Sequence, residues 1–176
     1  MNLRLTLTRK FKGARRLAVL GVGSDLRGDD VAGLLAADAV QEFLKRRRPA
    51  GVRVAVFHGC TVPENLSGEI RRFRPTHLVI LDAADVGRRP GTVELLDPDS
   101  PTLNPSASTH GLPIPILASF FRNSIGCEVV LVGIQPGGRA FESPPSKAVS
   151  AAASRVGKAI LAALGAGTRK KRVKTR

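Results

Sequence analysis

The chain has no tryptophan, no tyrosine and only 4% aromatic residues. A stacking platform for single-stranded nucleic acid needs several exposed rings, so that function class is poorly supported. The two cysteines, Cys60 and Cys127, form neither a C-x-x-C pair nor a zinc-ligand cluster, and nothing requires an oxidising compartment. No apolar run approaches the roughly 20 residues of a membrane span, and no apolar segment of a secretory signal follows the basic N-terminus. These absences predict a cytoplasmic protein. Acidic residues are also scarce, at 14 against 28 Lys and Arg, for a net charge of +14. The excess is terminal. Arg4, Arg9, Lys10, Lys12, Arg15 and Arg16 lie in residues 1–16, and Arg169, Lys170, Lys171, Arg172, Lys174 and Arg176 in residues 168–176, without an acid in either stretch. The ends read as solvated and mobile. The sharper alternative, attachment to nucleic acid, acidic lipid or an acidic partner, is not expected to be functional for nucleic acid.

At 176 residues and 43% hydrophobic, the rest suits one domain with a sizeable core. Residues 1–16 read as a basic arm in which Leu3–Leu7 can form a short strand. Residues 17–164 read as one α/β domain, and 165–176 as a basic tail. Apolar runs predict strands at Leu17–Leu20, Val52–Val56, Leu78–Leu81, Thr92–Leu96 and Glu128–Ile134. Helical spacing and breakers predict helices from about Asp29 to Lys45, Pro63 to Phe73, Gly111 to Asn123 and Ser146 to Leu164. Alternating strands and helices predict an α/β sandwich with a mostly parallel sheet, in which Thr92–Leu96 runs antiparallel. Asp97–Thr109 and Gln135–Pro145 are long loops of the kind that carry function.

The organising stretch is Leu17–Gly33, LAVLGVGSDLRGDDVAG: strand, glycine turn, acidic pair, amphipathic helix. A dinucleotide fingerprint fails there. Leu26 stands where the third glycine belongs, and Asp29 and Asp30 would repel a pyrophosphate at the helix start. There is no G-K-[ST] phosphate loop, no G-x-S-x-G elbow and no H-E-x-x-H. Three residues remain. Asp30 follows strand one, Asp82 ends the third strand, and His110 sits on the loop before the third helix. If strands one and three are parallel neighbours, both acids reach one crevice beyond their carboxyl ends. Two carboxylates and an imidazole suit a divalent transition metal and leave positions open. Taken singly, each has an ordinary structural role. Asp29 and Asp30 can cap a helix, Asp82 can bond loop amides, and His110 can be a surface cap.

These residues fall in a familiar pattern. Gly21-Val22-Gly23-Ser24-Asp25-Leu26-Arg27-Gly28-Asp29-Asp30 resembles the G-x-G-N-x-L-x-x-D-[DE] signature of the [NiFe]-hydrogenase maturation endopeptidases. Four more segments match in order: Pro63-Glu64-Asn65, Arg74–Ala83, Ser108–Pro113 and Leu131–Pro136. The pattern is most similar to the branch that processes hydrogenases of the formate-hydrogenlyase and energy-converting type. The resemblance implies a three-layer α/β/α sandwich of about five strands, one of them antiparallel. It implies a peptidase that removes a C-terminal extension from the hydrogenase large-subunit precursor after nickel insertion. The family's nickel-binding acids match Asp30 and Asp82, and its nickel-binding histidine matches His110. Nickel would arrive with the precursor and not belong to the isolated protein. Two positions depart from the pattern: Ser24 replaces the usual Asn, and His58 stands where an acidic or small residue is common. His58 could add a ligand or line the cleft. Asp29, as a helix cap, is expected to turn toward backbone amides. The opposing class is a metal-binding or sensing module without catalysis, which would share the three ligands but hold metal on its own.

Overall fold

Central strands whose residues are apolar on every position need cover on both faces, and the computed structural model provides it. It describes residues 2–46, 48–98 and 113–166. In chain order the elements are α1 (Leu3–Lys10), β1 (Arg16–Val22), α2 (Ala32–Arg46), β2 (Arg53–Cys60), α3 (Ser67–Phe73), β3 (His77–Ala83), β4 (Val93–Leu96), α4 (Ile114–Ile125), β5 (Glu128–Ile134) and α5 (Lys147–Ala166). Short 3-10 turns at Gly28–Val31 and Pro63–Leu66 lead into α2 and α3. The sheet runs β2-β1-β3-β5-β4, parallel except for β4, which pairs antiparallel with β5.

Alternation along the strands divides the core. Leu17, Val19, Val79, Leu81, Val130 and Val132 join α1, α2 and α5 on one face. Ala18, Leu20, Val22, Leu78, Ile80 and Leu131 join Ile70 of α3 and Leu117 and Phe121 of α4 on the other. The result is the expected α/β/α sandwich. Strand order reverses between β1 and β3, which opens a crevice at the carboxyl ends of those neighbours.

The amino end corrects the sequence reading. Leu3–Leu7 is a helix, not a strand, and it is docked rather than free. Asn2 caps it by accepting a hydrogen bond from the Leu5 amide at 3.2 Å. Leu7 and Phe11 are buried with Leu3 packed beside them. Their spacing of four puts them on one side of a helix, against α5. Leu5, the middle residue of the apparent alternation, is left 56% exposed. By length and composition α5 is apolar enough to cross a membrane. Its apolar residues Val149, Ala152, Val156, Ile160 and Leu164 are instead buried in the core shared with α1 and α2. The expected tail from residue 167 onward, most of the expected loop Asp97–Thr109 and the start of the helix expected from Gly111 lie outside the described residues.

Candidate active site

The first turn after β1 is built by close backbone approach. At Gly23, with φ +144°, a Cβ would stand 2.1 Å from the Asp30 carbonyl oxygen. At Gly33 a Cβ would stand 2.1 Å from the carbonyl oxygen of Leu81 and 2.3 Å from that of Val22. The start of α2 therefore rests directly on the ends of β1 and β3. Ser24, in place of the usual Asn, keeps the turn: its hydroxyl accepts from the Leu26 amide at 3.3 Å.

This contact brings Asp30 to the strand ends. Gly21 of β1 pairs with Leu81 of β3, so Asp82 stands one position past that last pair. Asp30 is fully buried and Asp82 is 6% exposed. The two sequence-predicted acids thus occupy the same sheet edge, at the β1/β3 switch point. Asp82 has the parity of Leu78 and Ile80, so it faces the α4 side of the sheet. His110 lies outside the described residues, in the segment that leads directly into α4.

Asp29 points elsewhere. Its Oδ2 accepts from the amides of Gly137 and Gly138, at 2.7 and 3.3 Å, and its Oδ1 from the Ser146 amide at 2.6 Å. It turns toward backbone amides, as expected, but they belong to the β5–α5 loop and not to its own helix. Burial pushes the Asp29 carboxyl up. The bonds from Ser146, Gly137 and Gly138 outweigh this and hold it below its usual value of 3.8. A carboxyl depressed by folding adds stability that is complete above its unfolded value and disappears as pH falls through the folded one. Asp29→Ala should cost about 2 to 4 kcal/mol near neutral pH, because three amides lose a charged acceptor. The gap to the parent should narrow in acid below the usual carboxylate range. Urea unfolding at the two pH values measures both.

Sequence reasoning missed two residues of this site. Arg139 places its Nε 3.2 Å from Asp30 Oδ1, and its Nη2 donates to the Ala83 carbonyl at 2.9 Å. Gln135 is buried. Its Oε1 accepts from the Val86 and Arg88 amides at 2.8 and 3.1 Å, and its Nε2 donates to Asp85 Oδ1 at 3.2 Å. It thereby fixes the segment after β3. Gln135 lies in the quoted segment Leu131–Pro136. Arg139 carries no local signal, because its partner is more than a hundred positions away.

Both described histidines have partners. His58, opposite Gly21 at the carboxyl end of β2, pairs through Nε2 with Asp38 Oδ1 of α2 at 2.8 Å. His77 opens β3, roughly 16 Å along the strand from Asp82, edge-on to Phe11. Burial pushes its imidazole below 6.5, partly opposed by Glu128. Among the described residues no group of three His, Cys, Asp or Glu could hold a metal ion.

Comparison with known proteins agrees with this architecture. The profile of the hydrogenase maturation protease family matches residues 38–163, a span that takes in Asp82 and His110 while Asp30 precedes it. The hydrogenase 3 maturation protease of Escherichia coli K12 is 36% identical over 138 residues, 78% of this chain and 84% of that protein. A putative hydrogenase maturation protease of Methanocaldococcus jannaschii is 28% identical over 129 residues, 72% and 76% of the two chains. The crystal structure of the [NiFe] hydrogenase maturation protease HycI from Thermococcus kodakarensis KOD1 superposes with a TM-score of 0.78 at 33% identity, covering 90% of this chain and 98% of that one.

Proposed function

The chain belongs to the hydrogenase maturation protease family, and from that premise we propose that it removes the C-terminal extension of a [NiFe]-hydrogenase large-subunit precursor once nickel is in place. The observation that supports this most is the placement of two buried acids, Asp30 and Asp82, at the carboxyl ends of two adjacent parallel strands. In this reading Asp30, Asp82 and His110 engage nickel already held by the precursor. The ion is then part of the substrate. It marks the precursor as ready and polarises the scissile carbonyl. One of the two carboxylates accepts the proton of the attacking water. Water adds to the carbonyl carbon, the C–N bond breaks, and the proton goes to the leaving amine. The free thiols of Cys60 and Cys127 fit a reducing compartment, and we place the reaction in the cytoplasm.

The test is cleavage of purified precursor with and without nickel. Only the loaded form should be cut, and Asp30→Asn and His110→Ala should each abolish the cut in a folded protein. A noncatalytic metal-holding module would instead bind nickel stoichiometrically by itself and leave both precursor forms intact.

A further inference from the structure

A carboxylate buried as fully as Asp30 needs a compensating charge, and Arg139 provides one. The guanidinium lies 3.2 Å from Asp30 and is hydrogen-bonded to Ala83, the residue after Asp82. It also adds to the pull that holds the Asp85 carboxyl low, behind the Gly87 amide and Gln135. The Arg139 side chain is itself only 22% exposed. Its position is fixed by the backbone. Asp29 N–H donates to the Gly138 carbonyl at 2.8 Å, Gly28 N–H to Ser143 at 3.1 Å, and Glu142 N–H to Leu26 at 2.8 Å. With the three bonds to Asp29, these lace the β5–α5 loop onto the very turn that carries Asp30. Arg139 is therefore presented to the acidic site by a braced loop.

We propose that Arg139 is a cation gate: its guanidinium neutralises Asp30 and keeps free divalent ions from lodging there, so that only nickel presented by the precursor displaces it. This rests on the reading that Asp30 and Asp82 grip the nickel of the substrate. Asp30 and Asp82 alone would offer a charge of −2 to any passing cation. Arg139 beside Asp30 offsets one of those charges. A guanidinium cannot relieve the competition by losing its proton. A free ion would have to expel it without other gains. Nickel seated in a polypeptide brings protein–protein contacts that offset the exchange. The gate thus makes the site selective for a loaded precursor and protects it from stray metal.

The test uses the full chain and nickel chloride alone, titrated calorimetrically into the parent, Arg139→Lys, Arg139→Gln and the double variant Arg139→Gln/Asp30→Asn. Arg139→Gln should bind free nickel at least about tenfold more tightly than the parent. Asp30→Asn in the same chain should remove the gain. Arg139→Lys keeps a charge but reaches Asp30 and the Ala83 carbonyl together less well, so a severalfold gain is expected there, and this variant decides the matter should Arg139→Gln not fold. In the cleavage assay, free nickel should inhibit Arg139→Gln at concentrations that leave the parent unaffected. Nickel affinity unchanged in both Arg139 variants overturns the gate. If Asp30→Asn and Asp82→Asn abolish processing while nickel affinity stays flat across the Arg139 series, the gate fails and the site reading stands. Intact processing by the two Asp variants overturns the site reading, and the gate with it.

Discussion

Asp82→Asn should slow processing of nickel-loaded precursor by about a thousandfold or more, within the range expected for loss of a positioned base or metal-engaging carboxylate. The substitution keeps the size of the side chain and its ability to hydrogen-bond, and removes its charge. The backbone pairing of Asp82 with Gly133 in the centre of the sheet is untouched. Asp82 is nearly buried at the strand end. The expected result is a folded protein that fails to cut, read by precursor cleavage alongside thermal unfolding. Cleavage at the parental rate would remove Asp82 from the chemistry.

Gly33→Ala should cost about 4 kcal/mol or more, at the exceptional end of single substitutions. The added methyl group would meet the carbonyl oxygens of Leu81 and Val22 at 2.1 and 2.3 Å. Both belong to the backbone of adjacent strands in the middle of the sheet, so neither can swing aside as a side chain would. Relief requires α2 to lift from the strand ends, and Asp30 would lift with it. The variant should therefore unfold at much lower temperature and lose processing together. A parental melting temperature for Gly33→Ala would show that α2 does not rest on β1 and β3 as described.

The central strands are legible in the sequence because burial on both faces makes every residue of Leu17–Leu20 and Leu78–Leu81 apolar, a pattern that surface elements lack. The convergence of Asp30 and Asp82 is legible for a related reason: parallel strands joined by helices carry their following residues to one edge. Leu3–Leu7 misleads because three leucines at alternate positions fit a strand and a helix equally over five residues. Phe11 and α5 decide between the two, and both lie beyond that window. Arg139 cannot be found at all from local pattern. It sits in a loop of glycines and prolines, and its meaning comes from a partner fixed by tertiary structure. Asp29 and Asp30 are neighbours of the same type with opposite duties. One accepts the amides of Gly137, Gly138 and Ser146; the other meets Arg139. The turn of Asp29 toward amides is legible in its place at the helix start; that those amides belong to the β5–α5 loop is not, and only the packing of that loop shows it.

The most direct measurement is the position of the nickel ion, by its anomalous scattering, in a crystal of the protein trapped with nickel-loaded precursor. Nickel within bonding distance of carboxylate oxygens of both Asp30 and Asp82, with the His110 imidazole completing the set, is the predicted result. Nickel held only by the precursor and remote from the two carboxylates would contradict the account.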